Sequence, residues 1–326
     1  MKVGVIGGTG YVGSYLIDAL LDYGMQPVVL VRPGSQARLR HADHCQVIDG
    51  DLGDVDAILR LVSQVDAVIY NVGILREFPG RGIRFSELHE NAARNVIDAS
   101  VQAGVSSFLL MSANGVNPNG TPYQRHKHAA DEYLASSGLN YSIFRPSVIF
   151  GDPRGRMEFA TQLCRDIICS PLPAPLFFDG LNPMKAGRFE LSPVHVEDVA
   201  RAFVNQLVSP AESNRIFHLG GPAILSWKEI LTTIAEAVGR RKLMLPVPVL
   251  GVKIAAGLLD QFEQFPVTRD QLNMLMEGNV CSAEDLKSMG ITPRCFEASE
   301  LAYLANTFND HAASSGTRAN AGKCGV

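Results

Sequence analysis

Val3-Gly4-Val5-Ile6-Gly7-Gly8-Thr9-Gly10-Tyr11-Val12-Gly13 is the stretch that decides the fold. A β-branched run breaks into a glycine-dense turn and then into helix-compatible sequence, the pattern of a phosphate-binding βα turn. Such a turn removes side chains, so that backbone N–H groups and the N-terminus of the following helix can reach a pyrophosphate. Two registers fit: Gly8, Gly10 and Gly13 read as G-x-G-x-x-G, while Gly7, Gly10 and Gly13 read as G-x-x-G-x-x-G. A tight turn without a ligand would look the same in isolation. Downstream, Val12, Leu16, Ala19 and Tyr23 recur at helical spacing, so strand, turn and helix follow in the order that dinucleotide binding needs. Gly7, Thr9, Gly10, Tyr11, Val12 and Gly13 are therefore expected to surround a dinucleotide.

Outward from the turn, Pro27–Val31 reads as a buried strand of a parallel sheet, since a short continuous apolar run suits a strand covered on both faces. An NAD site places an acidic residue at its end to hold the ribose 2′-hydroxyl. Here Arg32 stands there, no acidic residue occurs from Tyr23 to Ala42, and Arg38 and Arg40 follow. That favours NADP(H), the alternative being that these arginines solvate a short helix. Cys45–Ile48 is a third strand. Asp51 and Leu52 follow at the sheet's carboxyl edge, where Asp51 can reach the adenine or, like Asp54, cap the helix carrying Ile58, Leu61 and Val62. Asp66–Tyr70 is a fourth strand, and it ends in Asn71-Val72-Gly73, where small residues let backbone pass close to a cofactor. An amphipathic helix over Phe85–Ala103, a fifth strand at Phe108–Met111 and a sixth at Tyr141–Phe144 complete an alternating series. The expectation is an α/β fold in which residues 1–150 form a Rossmann-type doubly wound parallel sheet.

Past Gly151 prolines accumulate and helical patterns dominate, near 157–168, 197–208, 226–238 and 268–277. Residues 151–305 are read as a smaller, mainly helical lobe for substrate or partner, and 306–326 as a flexible tail. Two stretches in the lobe carry no charge, Ile167–Phe178 and Leu243–Val252, both too short and proline-broken to span a bilayer. They suit a lipophilic pocket, docking on a membrane protein, or burial in the lobe.

With 46% hydrophobic residues in 326, the chain can bury a substantial core, which excludes a disordered class. A net charge of −4 gives no global attraction to nucleic acid or anionic lipid. The opening MKVGVIGG enters the first strand at once, so no signal peptide and a cytoplasmic location are expected, peripheral association with the inner membrane being the alternative. The six cysteines form no C-x-x-C pair and read as reduced thiols; no metal is expected.

Ser112 closes the fifth strand, and the next helix starts near Thr121-Pro122, a plausible cap followed by proline at the first helical position. Tyr123 lies in the first turn and Lys127 one turn later on the same face. A nearby ammonium lowers a phenol's pKa. The expected roles are Tyr123 as general acid/base on a carbonyl or alcohol, Lys127 tuning it and holding ribose, and Ser112 hydrogen-bonding the reacting oxygen, with hydride passing to or from a nicotinamide.

Taken together, Gly7-x-x-Gly10-x-x-Gly13, Asn71-Val72-Gly73, Ser112, Tyr123-x-x-x-Lys127 and Arg145-Pro146-Ser147-Val148-Ile149-Phe150-Gly151 resemble the extended and atypical short-chain dehydrogenase/reductase superfamily. Pro146 and Val148 are counted with the cofactor residues. The phrases Pro193–Ala200, Phe217–Pro222 and Val267–Leu272 are similar to a narrower group, that of the nucleotide-binding accessory subunit of respiratory complex I and its bacterial relatives. The resemblance implies an NADP(H)-binding reductase acting on a carbonyl or alcohol of an apolar substrate, quinone-related or isoprenoid. It equally implies a non-catalytic NADPH-holding subunit or assembly factor of a respiratory or quinone-synthesising complex. A nucleotide-sugar epimerase or dehydratase is a third reading, disfavoured by the two uncharged stretches. His195 and Asp198 read as cleft border or helix start, and Arg154, Arg156, Lys185 and Arg188 as loop residues that meet an anion or solvent.

Overall fold

The computed structural model describes residues 1–209, 213–250 and 269–305. The first unit runs β1 (Lys2–Ile6), α1 (Tyr11–Asp22), β2 (Gln26–Val31), β3 (Gln46–Asp49), α2 (Val55–Val62), β4 (Ala67–Tyr70), α3 (Ala92–Ala103), β5 (Ser107–Met111), α4 (Pro122–Ala135) and β6 (Tyr141–Pro146). The chain continues through β7 (Ile149–Phe150), α5 (Phe159–Leu163), β8 (Ala174–Phe178), β9 (Glu190–Leu191), β10 (Val194–His195), α6 (Val196–Val208) and β11 (Arg215–Leu219). Then come β12 (Leu225–Ser226), α7 (Trp227–Ala237), β13 (Met244–Pro248) and the helices Arg269–Glu277 and Glu284–Ser288.

Seven strands form one sheet in the order β11-β6-β5-β4-β1-β2-β3, and every pairing in it is parallel. Alternation along each strand splits the apolar residues between two cores. Val3, Val5, Val29, Ile69 and Phe144 face Leu16, Ile17 and Leu20 of α1 and Phe203 of α6. Ile6, Val28, Val68, Phe108 and Ile143 face Leu61 of α2, Val96 of α3 and Leu134 of α4. The two-sided covering is why these strands are written almost wholly in apolar residues.

The sheet does not end with the sixth strand. β11 pairs with β6 from Arg215↔Ser142 to Leu219↔Pro146, and α6 packs on α1, so residues 194–219 return to the first core. The sequence division at residue 150 does not anticipate this, because a five-residue strand flanked by helical sequence carries little local signal. The remaining residues build a third core around Phe150, Trp227, Ile230, Leu231 and Leu272. Within it β8 and β13 pair in parallel, which joins the two uncharged stretches, and the Trp227 indole N–H donates to the Pro175 carbonyl at 2.9 Å. Residues 251–252 of the second uncharged stretch, 267–268 of the late motif, Cys324 and the expected tail 306–326 lie outside the described residues. No described helix is long and apolar enough to cross a membrane.

Candidate functional site

Strand order reverses beside β1, between β2 and β4, and at such a switch point the loops diverge from the carboxyl edge to leave a crevice. The glycine turn sits there. Gly7 has φ +93°, and a Cβ on it would lie 2.3 Å from the Asn71 carbonyl oxygen; one on Gly13 would lie 2.1 Å from the Gly7 carbonyl oxygen. These two contacts are backbone to backbone and select the G-x-x-G-x-x-G register. Gly8 has a different duty, since its Cβ would strike Val29 Cγ1 at 2.7 Å. Gly10 is the residue before α1, and a Cβ there would meet only the Gly7 oxygen, at 3.2 Å. Beyond Gly73 the space is open but for Lys127 Nζ at 3.9 Å. Neither Gly10 nor Gly73 is demanded by protein packing alone, and both leave room before the free N–H groups of α1, whose first turn carries no acidic residue. The chain's own geometry therefore fits a dinucleotide pyrophosphate. Thr9, Tyr11 and Val12 lie in the turn and at the start of α1.

Arg32 is exposed at the end of β2, and its guanidinium makes no hydrogen bond among the described residues. Asp51 is also exposed and accepts the Gly53 N–H at 2.8 Å, whereas Asp54 caps α2 through the Ala57 N–H. Leu52 packs on the second core. Asn71 donates its N–H to the Ile6 carbonyl, which clamps the β4 loop to the glycine turn. Pro146 is buried at the end of β6, and half-buried Val148 packs on the third core.

Helix α4 begins as its sequence predicts, with Thr121 and Gln124 forming a reciprocal cap and Pro122 in the first turn. Lys127 is buried, and its ammonium donates to the carbonyls of Met111 at 2.7 Å and Val72 at 3.3 Å, tying α4 to the ends of β5 and β4. Burial pulls its pKa down to about 8. Tyr123 stands edge-on to Phe85 and His89, with ring centroids 5.7 and 5.2 Å away. The expectation that Lys127 lowers the phenol's pKa is not met: burial, assisted by the charge of Asp131, raises it. No hydrogen bond joins the Tyr123 hydroxyl to Lys127 or Ser112.

Ser112 is also placed otherwise than expected. Its hydroxyl donates to Asp131 Oδ2 at 2.9 Å, and Arg145 Nη2 closes on the same oxygen at 2.8 Å. The hydroxyl's one proton is committed to this buried pair rather than offered to a reacting oxygen. Sequence reasoning did not single out Asp131, although it sits four residues beyond Lys127 on the same helix face. It also passed over His89, whose Nε2 accepts the Ile74 N–H at 3.0 Å and whose pKa burial lowers to about 2, so the ring is neutral. Over the carboxyl edge lies the helix Arg269–Glu277, bonded through Gln271 to the Leu75 carbonyl and through Glu277 to Gln124.

His195 caps α6 through the Glu197 N–H, whereas buried Asp198 accepts the Arg294 N–H and ties the first turn of that helix to the later segment. Lys185 and Arg188 are exposed. Arg154 and Arg156 instead turn inward: Arg156 Nε donates to the Thr9 carbonyl at 2.9 Å. Among the described residues no group of three or more His, Cys, Asp or Glu side chains is placed to hold a metal.

Residues 7–163 match the family model described as NAD(P)H-binding. Over that segment, just under half of its length, the chain carries an NAD(P)H-binding domain. Its relatives include reductases and respiratory-complex subunits. It is 24% identical over 274 residues to the ceramide reductase of Caulobacter vibrioides, covering 82% of this chain and 80% of that protein. It is 25% identical over 302 residues to the mitochondrial NADH-ubiquinone oxidoreductase 40 kDa subunit of Neurospora crassa, covering 89% of this chain and 75% of that protein. In fold, the NAD(P)H-binding chain matches the UDP-glucose 4-epimerase of Thermus thermophilus, solved in complex with NAD, with a TM-score of 0.71 at 20% identity over 95% of this chain and 99% of that one.

Proposed function

We propose that this protein is an NADP(H)-dependent reductase acting on a carbonyl group of an apolar substrate. The observation that carries this reading is the protonated Tyr123 phenol, with no hydrogen bond among the described residues, one helical turn before a buried Lys127 that is anchored to the ends of β4 and β5. NADP(H), when bound, supplies the hydride. Lys127 fixes α4 against the sheet one turn beyond Tyr123, and the rings of Phe85 and His89 pack on the phenol. Tyr123 then donates its proton to the substrate oxygen as negative charge develops there. A phenol whose pKa is raised stays protonated near neutral pH, which suits it to give a proton in the reductive direction. Ser112 positions Asp131 and Arg145 and leaves the proton transfer to Tyr123.

The preference for NADP(H) is supported by Arg32 at the end of β2, which has no partner among the described residues, and by the absence of an acidic residue from Tyr23 to Ala42. An apolar substrate is supported by exposed Leu75 and Val280, on backbone that is bonded across the mouth of the site to Gln271 and Asn114, and by a relative named for reducing a ceramide. Tyr123→Phe tests the reading. With NADPH and a panel of lipophilic aldehydes, ketones and quinones, turnover should fall by about 10²–10⁴-fold while NADPH affinity stays within about twofold. Unchanged turnover would overturn the role of Tyr123.

A second reading, a cofactor-holding subunit of a respiratory or quinone-synthesising complex, is favoured by the closed Ser112–Asp131–Arg145 network and by the Neurospora relative. It prevails if the wild-type protein shows no turnover yet co-purifies with both cofactor and a partner complex.

A further inference from the structure

A cleft of about 640 Å³ opens beside the glycine turn. One wall is the segment after β2, carrying Arg38 and Arg40; the other is the loop after β7, carrying Arg154 and Arg156. The two walls are distant in sequence, and their arginines are not equivalent.

Arg154 and Arg40 share Asp18, at 2.7 and 3.4 Å, together with His41 at 3.1 Å. Arg154 also stacks on the Tyr15 ring, 3.4 Å from its centroid, and donates to the Ser14 carbonyl. It is thus a bracket that fastens the loop to α1. The Asp152 carboxylate accepts the Arg154 backbone N–H, and the Asp152 main-chain carbonyl accepts the Tyr15 hydroxyl at 2.9 Å.

Arg156 is held differently. Its Nε donates to the Thr9 carbonyl at 2.9 Å, Nη1 to the Arg154 carbonyl at 3.2 Å and Nη2 to the Arg38 carbonyl at 2.8 Å. All three acceptors are neutral, and among the described residues no carboxylate pairs with it. The Arg38 guanidinium is exposed and makes no hydrogen bond among the described residues. Gathering like charges without counter-charges is unfavourable in the protein alone, and burial and the neighbouring arginines both oppose the charge on Arg156. A bound anion removes that cost. Guanidinium forks match a phosphate monoester, with its two charges and several acceptor oxygens.

The position selects which phosphate. Arg156 rests on Thr9, inside the turn that faces the dinucleotide, and Arg38 follows β2, whose end meets the adenosine ribose in this fold. We propose that the cleft holds the adenosine 2′-phosphate of NADP(H) between Arg38 and Arg156, so that the loop after β7 shares with Arg32 the choice of cofactor. This rests on the NADP(H) reading above and adds to it that the second half of the chain determines that choice.

The test is calorimetric binding of NADPH, NADH, adenosine 2′,5′-bisphosphate and adenosine 5′-monophosphate to the full chain. Arg156→Gln and Arg38→Gln should each weaken NADPH and the bisphosphate by about tenfold or more while leaving NADH and the monophosphate within about twofold. Arg38 is exposed and its side chain makes no bond among the described residues, so Arg38→Gln remains informative if Arg156→Gln folds poorly. If the wild type prefers NADPH and neither variant changes that preference, or each weakens all four ligands alike, the clamp is overturned while the NADP(H) reading stands. If the wild type binds NADPH and NADH equally, the NADP(H) reading fails and the clamp with it.

Discussion

Lys127 donates its ammonium to two main-chain carbonyls in a buried site, and burial lowers its pKa from 10.5 to about 8. The sign of the consequence follows from linkage. Below pH 8 the lysine is charged in both folded and unfolded chains, so the cost of burying the charge is fully present. Between about 8 and 10.5 the unfolded chain holds the extra proton, and stability rises with pH. The urea midpoint of the cofactor-free protein should therefore climb from pH 8 to 10, against the usual alkaline loss. Activity should fall over the same range, because the uncharged amine holds α4 more weakly. Tyr123, its pKa raised, does not titrate there. Lys127→Arg, which keeps its charge, should remove the alkaline fall in rate, and an unshifted limb would dissociate it from Lys127. At this scale the i, i+4 spacing of Tyr123 and Lys127 was legible in the sequence. The direction of the phenol's pKa was not, because Phe85 and His89 reach it from a distant segment.

Among the elements, the glycine turn and α4 followed most directly from local sequence. Thr121, Pro122 and Gln124 write a helix start that uses only neighbouring backbone, and the structure realises it as a reciprocal cap. Thr121→Ala should cost about 1 kcal/mol in chemical denaturation. The three glycines of the turn separate by what each would touch. Gly13→Ala would drive a Cβ to 2.1 Å from a carbonyl oxygen and should destabilise the fold by ~1–3 kcal/mol or more. Gly10→Ala meets one atom at 3.2 Å, so it should keep a near-native melting temperature yet bind NADPH about tenfold more weakly. Undiminished affinity in a folded Gly10→Ala protein would place the pyrophosphate elsewhere. Which register the turn uses was open in the sequence, since both spell the same letters; the approach of Asn71 to Gly7 decided it.

For the whole molecule, the return of residues 194–219 matters most. α6 covers α1, and β11 supplies the outer partner of β6. Residues 1–150 alone would expose one face of α1 and leave β6 as a bare edge, a template for aggregation. That fragment should show no cooperative urea transition, whereas the full chain should; a cooperative fragment would mean that the first core closes without the return. The Gly220-Gly221 pair, singled out in the sequence only as a phrase, belongs to this return. A Cβ on Gly220 would lie 2.0 Å from the Cys281 oxygen, and one on Gly221 1.8 Å from that of Pro193.

By itself the sequence determined the strand–turn–helix start, the parallel α/β series, the cap of α4 and the Tyr123–Lys127 face, because each depends on spacing within a few residues and on the burial that spacing implies. Only the tertiary structure decided the seventh strand, the commitment of Ser112 to Asp131, the raised phenol and the arginine cleft. Those depend on which distant segments share a space, and hydrogen bonds and desolvation are set by neighbours in three dimensions rather than by neighbours in the chain.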